Sequence, residues 1–433
     1  MCGGRRRWPR GHAVTRGLDE LIAENAAFRR EIEIAREAQA ITAELVVAQF
    51  VTVENILRQL EVAKAKAEEA QRATELRNRF IRLVFGRYLS DEVVESLLES
   101  PTGLHLGGEK RKVSVMMTDL RGFTAICERL PAESVVAMLN TYLESMTDVI
   151  LRHGGTIDEF IGDAILVIFG APIPREDDAL RAVTCAIDMQ LAMHGINQCF
   201  REAGYPQVEM GIGINTGDVV VGNIGSTRRA KYGIVGHNVN LTSRIESYAV
   251  GAQVLISEST LRDCRGLLEI RRALEVMPKG VEAPVTIFEV GGVGGDYGCC
   301  LPRAAAASFA ELPTPLPAKL AIIENKHAKS EMDDGAIVAL AENTARPVCA
   351  AELPLYANVK LRIFDEAGGV LCSEVYAKVT GAGNGELVLH FTSLPAEGGA
   401  LLRSRLREAR SGQRSTRESG ADGPTGRLSA TTP

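Results

Sequence analysis

Several features are scarce in this 433-residue chain, and each scarcity excludes a class of protein. The nine cysteines (Cys2, Cys127, Cys185, Cys199, Cys264, Cys299, Cys300, Cys349 and Cys372) form no CxxC pair and no Cys/His cluster. Neither a structural zinc module nor a dithiol redox motif is therefore expected. Scattered thiols of odd number read as reduced, which points to the cytoplasm. Positive charge is not in excess: the net charge is −6, so a basic face for gripping phosphates is missing and no nucleic-acid partner is expected. No continuous run approaches the roughly 20 apolar residues of a membrane span. The basic start, MCGGRRRWPRGHAVTRG, lacks the apolar stretch of a secretory signal. A soluble chain without a membrane span is the expectation. A core is not lacking, since apolar residues supply 45% and charged residues 24%, and the length suits two to three folded units.

Proline and glycine are absent between Leu18 and Arg77, where Ala, Glu, Arg and Gln abound. That composition favours one long helix. A heptad places Leu18, Ile32, Val46, Val53, Leu60 and Ala67 at one seam position and Leu21, Phe28, Ala35, Ile56, Ala63 and Ala70 at the other. Residues 18–78 are expected to form a dimeric coiled coil, after a disordered basic tail at 1–17. A helix packed on its own domain is the plainer alternative. Residues 79–108 form a connector, with a second helix in SDEVVESLLES capped by Ser90 and stopped before Pro101.

Residues 109–292 alternate strand-like and helix-like patterns in the order β-α-β-β-α-β, an α+β, ferredoxin-like arrangement of an antiparallel sheet with helices on one face. Within it, VEMGIGINTGDVVVGNIG reads as a Gly-rich hairpin. Its GIGINTG lacks the spacing of a dinucleotide fingerprint. A linker at 293–317 leads to a small β-rich domain at 318–402, and residues 403–433, almost without apolar content, are expected to be disordered.

Three local patterns carry chemistry. In VSVMMTDLRGFT a buried strand ends in Asp119, and the glycine turn that follows exposes amides at Gly122, Phe123 and Thr124. Alone, Asp119 could be a capping residue. In EFIGDAILVIFG the Gly162-Asp163 step joins two strands, so that Asp163 can stand beside Asp119. Gly-Asp also suits a plain hairpin turn, but two carboxylates on adjacent strands make a site for hard cations, and phosphoryl chemistry often uses two ions about 4 Å apart. In NVNLTSRIE, Asn240 and Arg244 are four apart and share one helix face. There an arginine can meet a leaving pyrophosphate and an amide can orient a ribose.

With these motifs in this order, residues 111–290 resemble the class III adenylyl/guanylyl cyclase catalytic domain in its bacterial form, closest in appearance to a cyanobacterial-type guanylyl cyclase. The resemblance implies a class III cyclase fold and two divalent metal ions, Mg²⁺ or Mn²⁺, on Asp119 and Asp163. It implies that Asn240 orients the ribose, that Arg244 stabilises the transition state, and that Lys279, in MPKGV, meets the triphosphate. It further implies a head-to-tail homodimer with shared active sites, which gives the coiled coil a purpose. Cyclases selective for ATP generally carry Lys where this chain has Glu159, and Asp or Thr where it has Gly233. A carboxylate accepts from guanine N1 and N2 but finds nothing to accept from at adenine N1. Glu159 thus favours GTP, while Gly233 adds no side chain to the choice; ATP as substrate, or a catalytically silent dimerisation module, are the competing readings. The C-terminal segment, through GAIVAL and LPLYANVKLRIF, resembles a PilZ-like barrel but lacks the arginine pair and the Asp/Asn-x-Ser motif with which that family binds cyclic dinucleotide. An unidentified regulatory partner acting through the coiled coil or this domain is the expectation for the input signal.

Overall fold

The structure, a computed structural model, describes residues 12–85, 106–278, 280–281, 283–303, 308–324, 327–328, 332–381 and 386–419. The expected helix in SDEVVESLLES, the tail at 1–11 and Lys279 lie outside the described residues.

Helix α1, His12–Phe85, runs for 74 residues. No glycine or proline interrupts it after Gly17, and its seam residues Leu21, Phe28, Ile32, Val53, Ile56 and Leu60 are all exposed. The length and composition of this helix also meet the requirements of a membrane span: it holds an 18-residue window of mean hydropathy 1.5 with at most two charged residues. A search for unbroken apolar runs misses it because Ala, Thr and Gln are interspersed among Val, Ile and Leu around residues 38–55.

The catalytic region is built on one sheet. Its elements are β1 (Gly107–Arg121), the short α2 (Phe123–Cys127), α3 (Ala132–Arg152), β2 (Thr156–Ile161), β3 (Ala164–Phe169), α4 (Asp178–Glu202), β4 (Glu209–Ser226), β5 (Arg229–Val235), α5 (His237–Tyr248), β6 (Val254–Ser257), α6 (Glu258–Asp263), β7 (Leu268–Val276), β8 (Val285–Val293) and β9 (Cys299–Cys300). Strand order is β2-β3-β1-β4-β6-β8-β7, with β5 on β4 and β9 on β8. Pairing is antiparallel except between β4 and β6. The α+β class expected from the sequence is the one observed.

Alternation along β1 explains the layers. Met116 and Leu120 face a core with Met138, Tyr142, Met146 and Ile150 of α3 and with Val183, Ile187 and Met189 of α4. Val113, Val115 and Met117 face the other side. The helices do not all lie on one face, contrary to the expectation: Ile245 of α5 and Ala249, just past its end, pack on Leu255, whose neighbours Val254 and Ile256 point to the opposite core.

A second correction concerns β4, which is one 18-residue strand and not a hairpin. Its turn with β5 comes only after Ser226. The glycines that imitate a turn make room instead. A Cβ on Gly211 would sit 1.9 Å from the Arg121 guanidinium, one on Gly213 2.4 Å from the Glu246 backbone, and one on Gly217 2.5 Å from Asn238.

The C-terminal strands are β10 (Ala310–Glu324), β11 (His327–Ala328), β12 (Asp333–Leu340), β13 (Thr344–Cys349), β14 (Asn358–Phe364), β15 (Val370–Gly381) and β16 (Leu387–Ser393). The order β10-β12-β13-β16-β15-β14 returns to β10, closing a barrel. Residues 403–419 are not disordered: α7, Ala396–Ser419, buries Leu402, Leu406 and Ala409 in the barrel core. Three apolar residues at i, i+4 and i+7 suffice for one helical stripe, although they barely register in a composition count.

Candidate active site

Asp119 lies near the end of β1, two residues before its last residue Arg121, and Asp163 sits in the tight β2–β3 connection after Gly162, whose φ of 67° suits glycine. Pairing of Thr118 with Ile165 brings the two carboxylates to the same edge. The Leu120 N–H donates to Asp163 Oδ2 at 3.1 Å, which fixes the second carboxylate over the end of β1. Burial, and then the negative charge of Asp119, push the Asp163 carboxyl up to about 6. A carboxyl raised in this way beside a second carboxylate suits a divalent cation, which would favour its ionised form. Among the described residues no cluster of three or more His, Cys, Asp or Glu surrounds them, so the donor set suits Mg²⁺ or Mn²⁺, which complete their shells with water and phosphate oxygens.

Gly122, at φ 72°, turns the chain into α2. The Phe123 side chain lies in the main core beside Ile126, where its aromatic ring anchors this five-residue helix. Only its backbone N–H, with that of exposed Thr124, is left for a ligand.

Glu159 and Gly233 meet across β2 and β5, through two residues not singled out from sequence. A bulge between Ile157 and Glu159 turns Asp158 inward. The Asp158 side chain is 1% exposed while that of Glu159 is 50% exposed, and Lys231 Nζ bridges them at 3.1 and 2.8 Å. Burial pushes the Asp158 carboxyl up against the pull of Lys231. Among the described residues no hydrogen-bond partner meets Asp158 Oδ1, which would lie 2.5 Å from a Cβ at position 233. Gly233 is thus the residue that leaves space for Asp158.

Asn240 is exposed and Arg244 half-buried on α5. A Cβ on Gly280 would lie 3.4 Å from Arg244, so the turn that follows Lys279 passes beside the guanidinium. Among the described residues no hydrogen bond or ion pair joins Asn240 or Arg244 to Asp119 or Asp163. A link does run from the other end of α5, where buried Arg121 binds Asp119 Oδ2 at 3.0 Å, the Glu246 carbonyl at 2.9 Å and the Glu246 carboxylate. Arg121 and Glu246 escaped the sequence reading, since one looks like a turn residue and the other like a solvated helix position; the glycines opposite them were the only signal.

Residues 108–286 match the family model described as the adenylate and guanylate cyclase catalytic domain. The chain belongs to this family. It is 33% identical over 214 residues to Adenylate cyclase 1 of Rhizobium meliloti (strain 1021), a match covering 48% of this chain and 32% of that protein. The chain thus spans about a third of the length of that relative. Among solved structures it is similar to the guanylyl cyclase Cya2, with 53% identity over 46% of this chain and 100% of that one, at a TM-score of 0.45. It is also similar to the adenylyl cyclase CyaB from P. aeruginosa, with 37% identity over 44% and 99%, at a TM-score of 0.43. The catalytic region is that of a class III nucleotide cyclase, and relatives bearing both substrate names occur.

Proposed function

We propose that this protein converts GTP into 3′,5′-cyclic GMP and pyrophosphate at sites shared between two copies of the chain. The observation that carries the chemistry is the juxtaposition of Asp119 and Asp163, with Asp163 resisting ionisation beside its neighbour. Divalent ions held there would supply Lewis-acid activation of the ribose hydroxyl and neutralise the triphosphate. The 3′ oxygen attacks the α-phosphorus, its proton passes to solvent, and the bond to the bridging oxygen breaks so that pyrophosphate leaves with the electron pair. In this reading Asn240 orients the ribose, Arg244 meets charge building on the phosphoryl oxygens, and Lys279 with the amides of Gly122, Phe123 and Thr124 holds the triphosphate. Glu159, half-exposed at the sheet edge, accepts from guanine N1 and N2. A second copy fits the scheme because, among the described residues, no hydrogen bond or ion pair joins Arg244 to the aspartates, and the exposed seam of α1 offers a dimerisation surface.

One observation favours ATP instead. Lys231 places an ammonium 2.8 Å from Glu159, where it could donate to adenine N1. Incubating the purified chain with Mn²⁺ and GTP or ATP in parallel, and quantifying both cyclic products, separates the readings. Cyclic GMP in excess is expected; cyclic AMP in excess overturns the choice of base, and neither product overturns the cyclase reading.

A further inference from the structure

Lys378 belongs to β15 of the C-terminal barrel, yet its side chain ends inside the catalytic region. It is 1% exposed, and its ammonium donates to the Ser247 carbonyl and, at 3.0 Å, to the Ala249 carbonyl. These carbonyls close the C-terminal end of α5, where a helix leaves acceptors unsatisfied and favours positive charge. The preceding residue, Glu246, is the one that grips Arg121, and Arg121 in turn holds Asp119. Lys378 stands close enough for Glu246, Arg121 and Asp119 each to act on its charge. A lysine is almost never fully buried without partners; this one finds its partners in the helix that carries Asn240 and Arg244.

The same barrel also backs the metal edge. A Cβ on Gly122 would lie 2.5 Å from Ser393 Cβ and from the Thr392 carbonyl, so β16 presses on the turn that follows Asp119. Around this contact Arg129 donates to the Glu374 carbonyl at 2.9 Å, Asn343 to Glu209 at 2.9 Å, and His390 faces Glu209 at 3.1 Å. The barrel therefore touches both the turn beyond one metal carboxylate and the end of the helix bearing the transition-state arginine.

We propose that Lys378 is a positioning residue for cyclisation: it holds the last turn of α5 and, through Glu246 and Arg121, fixes the carboxylate of Asp119. The barrel is then a working part of the catalytic centre and not a detached binding module. This rests on the reading of Asp119 as a metal ligand. Without Lys378 two helix-end carbonyls lose their donor and Arg121 faces Glu246 unopposed, which draws the guanidinium away from Asp119.

The test compares the full chain with its Lys378→Met and Lys378→Arg variants, summing both cyclic products across a Mn²⁺ titration and measuring Mn²⁺ binding directly by electron paramagnetic resonance. Groups that orient metal ligands typically cost 10- to 100-fold in metal affinity or activity when removed. Lys378→Met is expected to weaken Mn²⁺ binding by about tenfold and to lower kcat, with KM for the nucleotide changed less than about threefold and with much of the loss recovered in Lys378→Arg. A folded Lys378→Met protein with wild-type Mn²⁺ binding overturns the inference. If that variant does not fold, the Arg129→Ala/Asn343→Ala double variant loosens the same docking at its rim. It should weaken Mn²⁺ binding in the same direction, and an unchanged affinity overturns the inference as well. Should the wild type make no cyclic product from either nucleotide, the cyclase reading fails on its own, and the Mn²⁺ measurement still decides the role of Lys378.

Discussion

The proposed metal edge and the proposed base-reading edge of this catalytic region each rest on a pair of acids, Asp119 of β1 with Asp163 of the β2–β3 connection and Asp158 with Glu159 of β2, but their charges are handled differently. At the metal edge the charge of Asp119 adds to burial in pushing up the Asp163 carboxyl, and among the described residues Arg121 forms an ion pair with Asp119 but none with Asp163. At the base edge a single cation, Lys231, bridges both Asp158 and Glu159. Paired carboxylates that no single side-chain cation bridges suit an added metal ion, whereas a pair already bridged within the chain can be retuned by exchanging a partner. Chemistry is thus the harder property to alter, and base choice the softer.

The largest effect should come from breaking the metal edge. Asp119→Ala or Asp163→Ala is expected to lower kcat by more than about a thousandfold with the fold intact by circular dichroism, because each removes a metal-facing carboxylate and not a core side chain. Near-normal turnover in either variant contradicts the two-metal assignment.

Retuning the base edge should cost less. Glu159→Lys is expected to shift the GTP-to-ATP ratio of kcat/KM by roughly ten- to a hundredfold toward ATP, the scale of one or two charged hydrogen bonds. Adding Gly233→Asp, the obvious companion when adenine is to be read, should not complete the switch, because a Cβ there meets Asp158 Oδ1 at 2.5 Å. Only with Asp158→Ala in the same chain is the second change expected to help. If Gly233→Asp improves ATP use with Asp158 present, the placement of Asp158 is wrong.

The smallest effect sharpens the contrast in the metal-free protein. Because the folded state raises the Asp163 pKa to about 6, folded protein binds that proton more tightly than unfolded protein does, and stability is lost as pH rises through that range. Asp163→Asn, inactive as a cyclase, should therefore raise Tm by a few degrees above pH ~7, a gain that shrinks toward pH ~4. A lower Tm above neutrality speaks against mutual repulsion.

Much of this was legible in residue order. Asp119, Asp163, Asn240 and Arg244 stand at a strand end, a hairpin turn and one helix face, and local pattern suffices to place each there. Other parts were not, for reasons that are physical. Glycines 211, 213 and 217 read as turn formers because their partners, Arg121, Glu246 and Asn238, are distant in sequence and supply the bulk that glycine accommodates. The inward turn of Asp158 depends on a bulge, which adjacent acids do not announce. Lys378, in the alternating run SEVYAKV, gives no sign that it leaves its own barrel. The stripe of α7 is only three residues wide, and the exposed seam of α1 suits a partner helix and a bilayer alike.

The central claim, that two copies share each active site, is tested most directly by complementation. Asp119→Ala and Arg244→Ala chains carrying different tags should each be inactive alone. Their heterodimer, purified through both tags, should hold one intact site of two and recover about half of wild-type activity. A heterodimer that forms and remains inactive contradicts the account.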